Sequence, residues 1–498
     1  MSNELQPIVA VGRNCWRIER ASEARMIVDA AAYYRIIAEA MQRARRRIFI
    51  VGWDFDTRIT LAPDREGSYH ESLGHFFIEL ARERPGRQID ILKWNFGALK
   101  QFLSLRASYW LLRWWLAPPI NFKFDGAHPK GCSHHQKIVV LDDSLAACGG
   151  IDIAMRRWDT REHAPDDECR TTPNGKPYAP WHDVTMLLRG EIAGALGDLG
   201  RERWRVATRR DLEPLEDCRD DWPEDLEPHF TDVDVAIART RAAWDDLEEV
   251  RENEALVIDM IEHCRRFAYI ENQYFTSPKI AAAICTRLAE DDPPEIVLVM
   301  PRTADGWLES VAMDGTRQKL MQAISNGTGG ENFRIYVPVN AADTDIYVHA
   351  KVAIVDDRFL RVGSSNLNNR SMGLDSECDV VVDAGLPHNA GRGLEERIAG
   401  LRRDLMAEHL DVEVEAIAAL EQEGKGLVEV IEALRGEGKT LTLLEMKDLS
   451  GTEQFIADHE LLDPEDTEEM FEPLARKTLR QRWRETRTRF RDRFSRSA

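Results

Sequence analysis

No run of about twenty apolar residues occurs in this 498-residue chain, so no transmembrane helix is expected. The opening stretch, MSNELQPIVAVGRNCWRIER, lacks the apolar core of a signal peptide. Cysteine is sparse and unpatterned. None of the eight residues forms a Cys-x-x-Cys pair, which argues against a zinc knuckle or a redox motif. They read as reduced thiols in a cytosol. Positive charge is also in deficit, with 66 Lys and Arg against 87 Asp and Glu and a net charge of -21. Such a surface repels a phosphate backbone, so broad nucleic-acid binding is disfavoured unless a local basic site overrides the average. What is present, 43% hydrophobic and 31% charged residues, is enough for a large core in a globular protein.

The chain repeats itself. ARRRIFIVGWDFDT (44 to 57) has a counterpart in CRRFAYIENQYFT (264 to 276), and RQIDILKWN (87 to 95) in PEIVLVMPR (294 to 302). HHQKIVVLDDSLAACGGID (134 to 152) matches VHAKVAIVDDRFLRVGSSN (348 to 366), and HDVTMLLRG (182 to 190) matches SECDVVVDAG (376 to 385). Helical patterns over 30 to 46 and 254 to 266 precede the first strand of each half. The order predicts an α/β chain of two similar α/β/α lobes. The expected division is a first lobe over 1 to 210, an acidic linker over 211 to 236, a second lobe over 237 to 410 and a helical extension over 411 to 498. That extension is acidic to residue 472 and basic from 473 onward.

Each half holds one His-x-Lys-x4-Asp motif: His135, Lys137 and Asp142, then His349, Lys351 and Asp356. On a strand, residues i and i+2 share a face, so His and Lys project together while Asp sits at the turn. One such motif is weak; two at matching places in matching halves are strong. The residue types suit a phosphodiester. Two lysines neutralise its anionic oxygens, one histidine attacks phosphorus, and the other protonates the leaving alcohol and then deprotonates water. The glycine turns Gly149-Gly150-Ile151-Asp152 and Gly363-Ser364-Ser365-Asn366 would let backbone and short polar groups approach the phosphate, so Asp152, Ser364 and Asn366 are phosphate-binding candidates. Asp183 and Glu377 begin the strand after each motif; they either orient the histidines or cap the surface, and the repeat favours the first. Asp142 and Asp356 are assigned to the turn rather than to catalysis. No metal or other cofactor is expected.

With GGIDIAMRRWDT, PWHDV, YIENQYF, VGSSNLNNRSM and DSE in order beside the two motifs, the chain resembles the phospholipase D superfamily. The resemblance lies closest to the eukaryotic-like phosphatidylcholine-type enzymes and their bacterial relatives, over residues ~40 to ~410. It implies a bilobed fold with the active site at the lobe interface and chemistry through a phosphohistidine. His135 is then the nucleophile and His349 the acid/base, an assignment that can be swapped. Calcium or phosphoinositide dependence is not carried over. The implied activity is cleavage of glycerophospholipids to phosphatidic acid and free headgroup, with transfer to an alcohol as a variant. The implied partners are a phospholipid membrane surface and a glycerophospholipid substrate, with no nucleic acid. A cytoplasmic or peripheral, monomeric protein follows. The alternatives are a nuclease with the same site and a non-catalytic scaffold. The Trp-rich stretch 108 to 120 either walls a lipid groove or packs inside. Trp53, Asp54, Glu271, Asn272, Gln273, Arg157, Trp158 and Asp159 either line the site or serve the core. The basic tail, with Leu479, Trp483, Phe490 and Phe494 near one helical face, suits an anionic membrane or, preferably, the protein's own acidic segment.

Overall fold

The computed structural model describes residues 6–64, 72–95, 109–110, 113–114, 120–216, 222–304, 313–445 and Asp463. Its first half runs β1 (Arg17–Val28), α1 (Ala30–Arg43), β2 (Arg47–Gly52), α2 (Leu73–Glu83), β3 (Gln88–Trp94), β4 (Ile120–Asp125), β5 (Ile138–Leu141), β6 (Leu145–Gly149), β7 (Trp181–His182), β8 (Val184–Gly190) and α3 (Glu191–Thr208). The second runs β9 (Phe230–Arg241), β10 (Val250–Arg251), α4 (Glu252–His263), β11 (Phe267–Glu271), α5 (Pro278–Leu288), β12 (Glu295–Val299), α6 (Gly315–Ser325), β13 (Phe333–Val339), β14 (Tyr347–Val348), β15 (Val352–Val355), β16 (Phe359–Gly363) and β17 (Glu377–Asp383). Helices α7 (Leu394–Leu410), α8 (Val414–Gln422) and α9 (Leu427–Leu434) and strand β18 (Thr440–Leu443) follow.

All strands but β7 and β14 join one mixed sheet. Its order is β4-β3-β2-β5-β6-β8-β1-β9-β17-β16-β15-β11-β12-β13-β18, with β10 on β9. Read outward from the central β1–β9 pair, the two sides mirror each other strand for strand, up to β4 and β13. The outer strands are parallel and the inner ones antiparallel. Alternation feeds different cores from one strand. In β2, Phe49 and Val51 pack under α3 while Ile48 and Ile50 pack under α1 and α2. In β9, Val235 and Ile237 face one layer and Ala236 and Ala238 the other, with α4 to α6. The result is helices on both faces of a sheet.

Three expectations change here. The central strands β1 and β9 were not anticipated, because β1 (RIERASEARMIV) reads as charged. Its polar side chains are half-buried and ion-paired, Arg17 to Asp198 and Arg20 to Asp234. The acidic stretch expected to link the halves over 211 to 236 ends at Phe230, where β9 begins. Residues 411 to 445 are helical only in part, since β18 pairs antiparallel with β13 at the sheet edge. Residues 446–462 and the basic tail 473–498 lie outside the described residues.

The motif aspartates anchor the strand ends. Asp142, with positive φ, accepts the backbone N–H groups of Arg45, Arg46 and Arg47 at 2.6, 2.7 and 2.5 Å. Asp356 does the same for Arg265, Arg266 and Phe267 at 2.8, 2.7 and 3.1 Å. Each clamps the start of β2 or β11 to the motif turn. Asp142 is 2% exposed, whereas Asp356 is half-buried. Asp142→Ala is therefore expected to lower unfolding free energy by about 3 kcal/mol, and Asp356→Ala by less, because water can replace the lost acceptor only at the second turn. Urea unfolding of the two variants measures the difference.

Candidate active site

The two motifs meet at the seam between the halves. His135 and His349 face each other with ring centroids 6.4 Å apart, nearly edge to face. A near-attack arrangement places reacting atoms about 3–3.5 Å apart, so one phosphorus between two imidazoles needs roughly 6–7 Å. The acids are exchanged across the seam. Glu377, from the second half, meets Nδ1 of His135 at 3.0 Å; Asp183, from the first, meets Nδ1 of His349 at 2.7 Å. The backbone follows the same rule. The His135 N–H donates to the carbonyl of Ser376 and the His349 N–H to that of His182, each the residue before the acid. The small β7–β14 ladder fixes the second of these contacts.

The lysines lie beneath the imidazoles. Lys137 Nζ is 3.1 Å from Asp152 and donates to the His135 carbonyl at 2.9 Å. Lys351 Nζ donates to Gln273 Oε1 at 3.2 Å and is fully buried. Burial lowers its pKa to about 7, against the pull of Asp183. Burial also pushes both histidines well below their usual range, and the lysine ammoniums push the same way. It pushes Glu377 well above its range, against the Ser364 and Ser371 hydroxyls, and raises Asp183 to about 6. The site thus keeps two neutral imidazoles, each held at Nδ1 so that Nε2 looks into the gap.

The glycine turns do different work from that expected of them. A Cβ on Gly150 would lie 2.1 Å from Asp183 Oδ1, and one on Gly363 would overlap the Asp379 carboxylate. These glycines admit acids rather than a phosphate. Of the three phosphate-binding candidates, two are engaged internally. Asp152 accepts the Trp53 and Asp54 N–H groups at 3.1 Å and pairs with Lys137, and an anion there would repel phosphate directly. Ser364 Oγ donates to Glu377 at 2.5 Å and accepts the Cys378 N–H. Asn366 is buried with its Oδ1 unpartnered.

Among the other flanking candidates, Arg157 stacks on Trp181 at 4.2 Å, and Trp181 lies against His349 at 5.1 Å. Trp53 approaches His135 at 6.0 Å and Lys137 Nζ at 5.7 Å. Gln273 bridges Lys351 and the Tyr347 hydroxyl. Asp54 pairs with Lys93, Asn272 accepts the Tyr274 and Leu367 N–H groups, and Trp158 belongs to the core. In the Trp-rich stretch, Trp114 is buried against Phe55 and Phe77 while Tyr109 is half-exposed; most of the stretch lies outside the described residues.

Behind Asp183 lies a buried polar layer that the motif search missed. His163, His182, Asp29 and Glu408 converge, and His182 also meets Glu271, which meets His409. The facing donor pairs are separated by 2.9 to 3.5 Å, close to the ~3.3 Å edge of a tetrahedron with zinc-like bond lengths. The far nitrogens of His163 and His182 rest on Asp159 and Glu271, the support a ligating imidazole needs. Asp29 Oδ2 has no hydrogen bond. These four residues could hold one divalent cation. Protons serve the same contacts, since the surrounding carboxylates raise His163 to about 9 and His182 well above its usual value despite burial. Either way the layer stands behind the reacting atoms. A legible sign was Glu408-His409 on the otherwise apolar face of α7, with Leu401 and Leu405.

Residues 257–388 match the family model described as cardiolipin synthase, PLD-like domain. The chain is 23% identical to phospholipase D1 of Schizosaccharomyces pombe over 80% of this chain and 36% of that one. It is 24% identical to phospholipase D alpha 1 of Zea mays over 75% of this chain and 63% of that one. The chain therefore spans less than two thirds of these curated relatives. The structure of phosphatidylserine synthase from Haemophilus influenzae Rd KW20 superposes with TM-score 0.54 at 13% identity, covering 77% of this chain and 86% of that one. That likeness concerns the fold.

Neutral imidazoles make a direct expectation. Histidine NMR should show His135 and His349 both titrating below the ordinary imidazole range. Lys351→Ala should raise the His349 titration, because after burial it is the neighbouring charge that lowers it most. His135→Asn and His349→Asn assign the signals. Two ordinary titrations near the unperturbed value would contradict the site as described.

Proposed function

We propose that the chain is a member of the phospholipase D superfamily, to whose members it is similar, and that it cleaves the headgroup phosphodiester of glycerophospholipids through a covalent phosphohistidine. The observation that carries this is the opposed pair of imidazoles, each with its acid supplied by the other half. In this reading the halves are duplicated lobes.

The chemistry runs in two displacements. Lys137 and Lys351 hold the non-bridging oxygens, whose charge grows in the transition state, and the Asn366 carboxamide completes the phosphate site. His135 Nε2 attacks phosphorus, forming an N–P bond as the bond to the headgroup oxygen breaks. His349, protonated at Nε2 once the phosphodiester anion has entered the gap, gives that proton to the oxygen, and the headgroup leaves as an alcohol. Water then attacks phosphorus, its proton passes to His349, and the N–P bond breaks to leave phosphatidic acid. An alcohol in place of water gives transfer. Glu377 and Asp183 fix the ring that each touches; Asp152 acts through Lys137. The partner surface is a phospholipid membrane, approached from outside: among the described residues no helix is long and apolar enough to cross one.

Vesicles of phosphatidylcholine or phosphatidylethanolamine with ethanol should yield phosphatidic acid and phosphatidylethanol. His349→Ala should lose about 10²–10⁴-fold in rate, and His135→Ala should form no phosphoenzyme. Product formation unchanged in both variants would sink the mechanism. Cleavage of single-stranded DNA but not of lipid would move the substrate to nucleic acid.

The pH profile follows from the site. Lys351 carries its charge below about 7 and loses it above, and Asp183 is a carboxylate only above about 6. The kcat/KM for vesicle cleavage should therefore fall on both sides of a narrow optimum between those values, as a property of the coupled site. The alkaline limb of kcat should lie higher, because bound phosphodiester favours the ammonium.

A further inference from the structure

Away from the seam, a pocket of about 560 Å³ opens between the end of β1, helix α1, the segment before β9 and helix α7. Four arginines line it: Arg25, Arg35, Arg161 and Arg397. Only Arg161 is ion-paired with the pocket's Asp404, at 3.0 Å. Arg25 donates to the backbone carbonyl of Glu227, and Arg397 to that of His229 at 2.8 Å. Arg35 makes no hydrogen bond or ion pair among the described residues. The lining acids are Asp404 and Glu227, and among the described residues neither Arg35 nor Arg397 has a carboxylate partner, which leaves two guanidinium charges in excess. This lies within a chain of net charge -21. His229 reports the local field: burial, then Arg25, Arg161 and Arg397, push its imidazole down to about 4.

We propose that this pocket binds a phosphomonoester dianion. Guanidinium forks match phosphate oxygens two at a time, and a phosphomonoester carries about −1.5 to −2 at neutral pH, which the excess of two positive charges neutralises. A phosphodiester, with a single charge, is matched less well. The pocket is larger than one phosphate group and is walled by Val28, Ile36 and Leu401, so there is room for an organic substituent beside the anion. The site stands apart from the reacting histidines and does not depend on the reaction assigned to them. It is close enough to matter to them, because Arg161 also pairs with Glu408. Glu408 meets His182 at 2.9 Å, and the His182 carbonyl receives the His349 N–H at 2.8 Å.

The test is calorimetric titration of the full chain carrying Lys137→Ala and Lys351→Ala, which removes phosphate binding at the seam. The probes are glycerol 3-phosphate, the diester glycerophosphocholine, and vesicles of phosphatidylcholine with and without phosphatidic acid. Saturable binding is expected for the monoester, at least tenfold tighter than for the diester, and lost at least tenfold in Arg35→Ala/Arg397→Ala. These two side chains are exposed or half-exposed, so their removal should leave the melting temperature near that of the parent; Arg25→Gln is the second variant. Binding of glycerol 3-phosphate identifies a soluble ligand, and binding of phosphatidic acid vesicles alone identifies a lipid-borne one. The proposal is overturned if neither form binds, if the diester binds equally, or if binding persists when the arginines are removed.

Discussion

Two hydrogen bonds across one seam, Glu377 to His135 and Asp183 to His349, define what this molecule must keep in register. Neither half can orient its own histidine. Each imidazole rises from the segment just before its motif strand and is held from behind by the other half, and each backbone N–H is tied to the residue preceding that acid. A displacement of about 1 Å between the halves would therefore disturb both rings together, and such misplacement is expensive in phosphoryl chemistry. The central β1–β9 pair and the β7–β14 ladder resist that displacement. The polar layer around His182 adds a third restraint, buried and linked by direct ion-pair contacts.

Burial explains why the same four titratable groups depart so far from their usual behaviour. The seam is buried, so each charge is disfavoured: imidazoles lose protons and carboxyl groups gain them. Two buried lysines reinforce the first effect and oppose the second. An anion entering the gap changes the sign of the field there. Burial and the lysines together thus favour an anion in the gap. The glycines at 150 and 363 belong to this arrangement, since they allow Asp183 and Asp379 to approach more closely than any side chain would permit.

Much of this was legible in the chain. Repeated spacing singled out His135, Lys137, His349 and Lys351, and the repeat singled out Asp183 and Glu377; the strand expected to carry each His and Lys begins only at Ile138 and Val352, just after them. The crossing of the acids was not legible, because pairing across a seam depends on how two halves dock, and local periodicity carries no such information. β1 was missed because its charged side chains, half-buried and ion-paired to neighbouring elements, hide the alternation of a central strand. Asp152 and Ser364 were read as facing the phosphate, but a turn's sequence does not show which way its polar atoms are spent. His163 and Glu408, 245 residues apart in sequence, could be joined only in three dimensions.

The exchange of acids has a consequence for the growing chain. A ribosome that has released the first half has displayed His135 and Lys137 but not Glu377, and Asp183 has as yet no imidazole to hold. Until β17 (Glu377–Asp383) is made and docked, neither histidine is poised and no truncated product carries a competent pair. The opposed pair is thereby incomplete through the first three quarters of the chain's synthesis, and is assembled only once Glu377 has been added.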